Sequence, residues 1–127
     1  LPLRRLKLMG LALDSLALHC GGRLAVMTVT PALLARAGGA TMTDTEDLVE
    51  LGRGLAGVTL SALVKDAGGG PGGVRVSLRS RDPVDASALA GFFGGGGHRQ
   101  AAAYNDPRAA TAEEALANLL ARAEDFL

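Results

Sequence analysis

Two short segments, GVTLSALVK (57–65) and GVRVSLRS (73–80), separated by the loop DAGGGPGG, limit most sharply what this chain can fold into. Each is rich in β-branched and aliphatic residues, and the glycine-rich spacer between them carries turn chemistry, so the pattern predicts two strands of one sheet joined by a hairpin loop. In the second segment the alternation is strict. Val74, Val76 and Leu78 fall on one face, and Arg75, Ser77 and Arg79 share the other, before Ser80 opens a turn. A buried sheet face and a polar, cationic one are thus both written into seven residues.

The rest of the chain alternates helical and extended patterns. RLAVMTVT (23–30) reads as a buried strand that stops at Pro31. In TMTDTEDLVELG, Thr43 and Glu46 have capping-box spacing ahead of Leu48, Val49 and Leu51, which predicts a short helix from near Asp44. Asp85 is placed to cap a helix carrying Leu89, Phe92 and Phe93, with both phenylalanines in the core and the following glycines ending the helix. After AAAY and the turn NDPR, Thr111 and Glu114 open a last helix with Leu116, Leu119 and Leu120 inward. The expected architecture is α/β, a single domain with a small mixed sheet flanked by helices.

The first 20 residues, LPLRRLKLMGLALDSLALHC, are leucine-rich but interrupted by Arg4, Arg5, Lys7 and Asp14. That leaves no apolar run near the roughly 20 residues of a membrane helix, and no small-residue cleavage site follows. The segment reads as an amphipathic helix with Leu6, Met9, Leu13 and Leu16 on its buried face. The chain opens on Leu, directly into this pattern, as a piece of a longer polypeptide would. Its single cysteine, Cys20, makes no intrachain disulfide and fits a reducing compartment, the cytoplasm.

Several chemistries lack their residues. With 13 basic and 13 acidic residues the net charge is zero, so any nucleic-acid contact has to be a local patch. Only two histidines are present, and there is no His-Glu-x-x-His, Cys-x-x-Cys or Asp-His-His cluster for a self-contained metal centre. His19 and Cys20 are adjacent and point about 100° apart on a helix, which suits no thiol–imidazole pair. Gly68, Gly70 and Gly73 match the dinucleotide fingerprint by letter, but Pro71 interrupts them and a strand, not a helix, follows.

GFFGGGGHRQAAAY (91–104) is different. Glycines bring backbone N–H groups close to a ligand with no Cβ in the way, and Gly95, Gly96 and Gly97 lead straight into two side-chain donors, His98 and Arg99. The two arginines and the serine of VRVSLRS add planar donor forks suited to paired anionic oxygens.

Taken together, SLRS (77–80), the Asp85-capped helix and GFFGGGGHRQAAA (91–103) resemble the DHH-associated C-terminal domain of the DHH phosphoesterase superfamily. The resemblance points to the branch of oligoribonucleases (nanoRNases) and phosphatases of 3′-phosphoadenosine 5′-phosphate. That branch shows a Ser-Leu-Arg-Ser strand, a helix ending in Phe-Gly, and Gly-Gly-Gly-His-x-x-Ala-Ala-Gly. TMTDTEDLVELGRGLAGVTLSALVK is similar to the family's stretch before that strand, so the likeness spans most of residues 22–122.

The resemblance implies a division of labour. Residues 22–127 would be the substrate-binding domain, and residues 1–21 a connecting helix from an absent N-terminal Asp-His-His domain. That absent domain would hold manganese or similar divalent metals, with no cofactor in this fragment and no hydrolysis by it alone. By similarity Arg79 and Ser80 would contact phosphate or sugar, with Gly95, Gly96, Gly97, His98 and Arg99 forming the facing loop. The implied ligands are short RNA or DNA oligonucleotides or 3′-phosphoadenosine 5′-phosphate, with exopolyphosphatase-related substrates in the same chemical range. The implied protein partners are the chain's own DHH domain and a possible homodimer, with no membrane. Rival readings are a RecJ-like exonuclease domain, or a non-catalytic RNA-binding or dimerisation module like the related C-terminal domain of alanyl-tRNA synthetases. Ala103 departs from the pattern, standing where the family has glycine; its methyl clashes only if that position needs a positive φ.

Overall fold

The computed structural model describes all 127 residues, Leu1 to Leu127. In chain order it forms α1 (Leu3–Asp14), β1 (Ala17–His19), β2 (Leu24–Val29), α2 (Pro31–Arg36), α3 (Leu48–Arg53), β3 (Leu60–Asp66), β4 (Val74–Ser80), α4 (Ala86–Phe92), β5 (Gly96–His98), β6 (Ala101–Asp106) and α5 (Ala112–Ala123). The six strands make one sheet in the order β1-β2-β3-β4-β6-β5. Only β2 and β3 run parallel, so the sheet is mixed and the fold α/β, as the sequence patterns indicated.

Strand alternation divides the molecule into two unequal layers. On one face Val26, Leu60, Val64, Val76, Leu78 and Tyr104 pack with Leu89 of α4 and Leu119 of α5 in a cluster of 19 buried residues. On the other, Met27, Val29 and Leu63 meet Leu8 and Ala12 of α1 and Leu48 and Val49 of α3 in a cluster of 9. The smaller cluster covers only the β2–β3 half of its face. The β4–β6–β5 half is left open.

The β3–β4 hairpin, the Asp85 cap and the Thr111 cap are where the sequence placed them. The Asp85 carboxylate accepts from the Ser87 and Ala88 amides at 3.0 and 3.3 Å. The Thr111 hydroxyl accepts from the Glu114 amide at 3.2 Å. Gly68, Gly70 and Gly73 lie in the loop that feeds β4.

Four expectations need correction. The leading segment is not one helix: α1 ends at Asp14, where the Ser15 hydroxyl donates to the Ala12 carbonyl (2.6 Å) and accepts from the Thr28 amide (3.0 Å). That exchange turns the chain into β1. The buried stripe of α1 is Leu8 and Ala12, while Leu6 and Leu13 are exposed. Leucines recur around the whole helix, so periodicity alone could not choose the inner face.

The capping box is Thr41/Asp44, not Thr43/Glu46: the Thr41 amide donates to the Asp44 carboxylate at 2.9 Å. Both pairs share the same spacing, and burial of Asp44 against Arg4 (3.0 Å) selects the first. The Thr41 amide, and then Arg4, hold the Asp44 carboxyl below its ordinary range. α3 therefore starts only at Leu48, after Asp47 turns the chain at φ +68°.

Phe92 is half exposed under Arg122, whose guanidinium lies 4.8 Å from the ring centre. Phe93 takes the inner place, stacked on Tyr104 at 4.5 Å. Finally, the glycine run does more than end α4. Gly96 and Gly97 enter β5, a strand that no residue preference signals, because pairing with β6 supplies its order.

Candidate functional site

The open half of the sheet face is a cleft of about 580 Å³. Its floor follows from register. Along one row Ser61 of β3, Arg79 of β4, Ala101 of β6 and His98 of β5 are successive partners. The next row runs Leu63, Ser77, Ala103, Gly96, and a third runs Lys65, Arg75, Asn105. Thr45, Glu46, Asp47 and Val49, from the turn before α3 and its first residues, make the wall. The Ser61 hydroxyl, fully buried, donates to the Val49 carbonyl at 2.7 Å and fixes that wall to the floor.

Arg79 is held rather than free. Its Nε donates to Glu50 at 3.0 Å and one terminal nitrogen donates to the Leu78 carbonyl at 2.9 Å. Glu50 is shared with Arg53 at 2.6 Å, and Arg53 donates to the Ser80 carbonyl at 3.2 Å. A guanidinium has five N–H donors. With two engaged, three are left for the cleft, already oriented.

Lys65 and Arg75 form the other cationic end. Neither belongs to an ion pair, and Arg75 makes only a 3.4 Å contact with the Asn105 side-chain oxygen. Burial first, then the charges of Arg75 and Arg79, push the Lys65 ammonium below its ordinary range, with Glu46 at the mouth opposing them. Three cations and an imidazole thus meet on one small surface of a neutral protein.

Of the residues singled out from the sequence, Arg79, Gly96, Gly97 and His98 line this cleft. Gly95 does not: a Cβ there would meet the Ala103 carbonyl oxygen and would lie 2.7 Å from the Tyr104 Cα, so it lets β5 lie close on β6. Gly97 adds a φ of +144° and the same close approach, 2.7 Å to the Ala102 Cα. Ser80 is fully buried on the opposite face, its hydroxyl directed at the carbonyls of Val84 (2.8 Å) and Arg99 (3.0 Å). Arg99 lies outside the cleft, bound to Asp82 at 2.9 Å, Asp85 at 3.7 Å and the Pro83 carbonyl at 2.8 Å. Together they staple the 81–85 turn to the β5–β6 connection. The serine that shares the Arg79 face is Ser77. Ala103 sits in an extended strand, outside the positive-φ positions, so its methyl meets no clash and forms part of the floor.

Lys65, Thr45 and Asp47 were not singled out from sequence; only the hairpin register and the αL turn bring them in. Cys20 is half-buried, and burial, then Glu124, push its thiol up, which disfavours a reactive thiolate. No three of His, Cys, Asp and Glu converge into a metal-binding group. No helix is long and apolar enough to cross a membrane.

Comparison with known proteins bears on the family and the fold. The bifunctional oligoribonuclease and PAP phosphatase NrnA of Thermus thermophilus is 40% identical over 96 residues, 76% of this chain and 27% of that protein. The chain thus spans about a quarter of that relative's length. An exopolyphosphatase-related protein of Bacteroides fragilis shares the fold at a TM-score of 0.87 and 24% identity, over 99% of this chain and 36% of that one. The pGpG-specific phosphodiesterase PggH of Vibrio cholerae follows at 0.56 and 11%, over 98% and 40%. The sequence profile of the DHHA1 domain matches residues 21–127, and the chain belongs to that family, the DHHA1 domain of DHH phosphoesterases.

Proposed function

We propose that this chain is the substrate-gripping domain of a metal-dependent phosphoesterase and holds the phosphate and sugar of a short oligonucleotide, or of 3′-phosphoadenosine 5′-phosphate, in the cleft between β4 and α3. The observation that carries this reading is the convergence of Lys65, Arg75, Arg79 and His98 on one cleft of a chain with zero net charge. Orientation is the domain's contribution. Glu50 and the Leu78 carbonyl fix the Arg79 fork, so little side-chain freedom is lost when a phosphate arrives. The Gly96–Gly97 backbone leaves room beside His98, whose ring is free to donate to phosphate or stack on a base.

No three His, Cys, Asp or Glu side chains of this chain gather into a group that could hold a metal ion. Hydrolysis belongs in this reading to a separate Asp-His-His domain, where manganese or a similar ion would activate water. The ligand would lie between the two domains. Affinity of this chain alone is weak for that reason, with half the contacts present and no net charge to steer association. Titration of Arg79→Ala and His98→Ala variants with a phosphorylated dinucleotide tests the reading: both lose affinity while keeping the fold.

A second surface bears on partners. Leu3, Leu6 and Leu13 form an exposed stripe along α1. It is the face on which the remainder of a longer protein, or a second copy, would pack.

A further inference from the structure

The cleft has two cationic ends, and the second is not needed to hold one phosphate. Arg79 and His98 stand in the same row at one end. Lys65 and Arg75 stand opposite each other at the other. Arg79 lies four residue steps beyond Arg75, about 13 Å along β4. That is longer than the separation of neighbouring phosphates on a nucleotide strand. Ser77, between them, offers a hydroxyl to the intervening sugar or phosphate.

Two like charges directly opposite on adjacent strands oppose folding. Here they sit on interior strands, without a carboxylate on either, one of them partly buried. Glu46 in the cleft lining offsets that charge only in part, and an entering anion would meet the remainder.

We propose that Lys65 and Arg75 form a second anion subsite, so that the cleft prefers 5′-phosphorylated oligonucleotides of three or more nucleotides to mononucleotides, including the compact 3′-phosphoadenosine 5′-phosphate. The inference rests on the cleft being the nucleotide site, as proposed above. The first phosphate lies on Arg79 and His98, and a later one lies between Lys65 and Arg75. Glu46 and Asp47 at the mouth discourage a ligand from binding the second end alone.

The test is a set of NMR-derived affinities for the 127-residue chain with 5′-AMP, 3′-phosphoadenosine 5′-phosphate, pApA and pApApA, repeated for Arg79→Ala, Lys65→Gln and Arg75→Gln. The expected result is that pApApA binds wild type about tenfold more tightly than 5′-AMP, as one added charged contact allows. In Lys65→Gln and Arg75→Gln that advantage shrinks to about twofold or less, because pApApA loses more affinity than 5′-AMP does. The salt dependence gives a readout without any variant: the slope of log K on log salt is steeper for pApApA than for 5′-AMP by about 0.7 per added phosphate contact. Equal affinities and slopes for the two ligands in wild type overturn the subsite. So does a Lys65→Gln variant that weakens 5′-AMP as much as pApApA. Arg79→Ala reports separately on the cleft itself: loss of affinity for every ligand supports it, and no loss for any ligand overturns the reading on which the subsite rests.

Discussion

Lys65 on β3 and Arg75 on β4 are direct cross-strand partners, two cations facing each other with no carboxylate bound to either. Folding brings them together at a cost, and the cleft is where that cost has a use.

Lys65→Gln is therefore expected to stabilise the free chain, by about 0.2–1 kcal/mol, the range of cross-strand pair effects. Desolvation, Arg75 and Arg79 lower the folded Lys65 pKa, so below 10.5 the unfolded chain binds the proton more readily. The penalty is full at neutral pH and fades as pH rises toward 10.5. Denaturant titrations of wild type and variant at pH 7 and pH 10 check this: the gap between them narrows at the higher pH.

Tyr104→Phe tests the larger core. The ring stacks on Phe93, but its buried hydroxyl has no hydrogen-bond partner. Removing the oxygen keeps the stack and is expected to raise stability by about 1 kcal/mol. Burial, then Asp106, push the phenol above its ordinary value. With the folded pKa raised, the wild-type contribution is full below pH 10 and is lost above it, as the unfolded tyrosine ionises first. The variant loses less. Thermal melts at pH 7 and pH 10.5 measure both effects; destabilisation at pH 7 would contradict the account.

The glycines of β5 separate into two kinds. Gly95→Ala and Gly97→Ala force a Cβ into the β6 backbone and are expected to cost at least about 1–3 kcal/mol. A Cβ on Gly96 meets nothing within 4 Å, so Gly96→Ala stays within about 0.5 kcal/mol of wild type. Since Gly96 lines the cleft, its methyl shows in ligand affinity instead. Denaturation and a dinucleotide titration on the three variants separate these effects.

Arg79 and Arg99 provide a matched pair. Both are arginines of the SLRS-to-HR region, yet only Arg79 lines the cleft. Arg79→Ala is expected to weaken dinucleotide binding about tenfold or more, whereas Arg99→Ala stays within about twofold. Its effect falls on the 81–85 turn, seen as faster amide exchange there. Equal losses of affinity would put Arg99 back on the ligand.

Much of this architecture was legible because alternation is local. VRVSLRS alone puts Arg75, Ser77 and Arg79 on one face, and the structure keeps them there. Caps at Asp85 and Thr111 depend on neighbours three residues away and were equally plain. What stayed hidden depends on pairing. β5 is a strand because β6 orders it, although two of its three residues are glycines with no extended preference. Lys65 joins the site only through hairpin register, which the glycine-rich loop leaves undetermined in sequence. Ser80 and Arg99 drop out of the cleft for the converse reason: a residue after Arg79 points through the sheet, and a residue after His98 leaves the strand.

The central claim is that the open half of the sheet face is the nucleotide site. The most direct measurement is a 15N–1H NMR titration of the 127-residue chain with pApApA, following every backbone amide. Shifts concentrated at Thr45–Asp47, Lys65, Arg75–Arg79 and Gly96–His98, with α1 and α5 unmoved, are the result this account predicts. Amides of the cleft that stay still at millimolar ligand, while another surface responds, would contradict it.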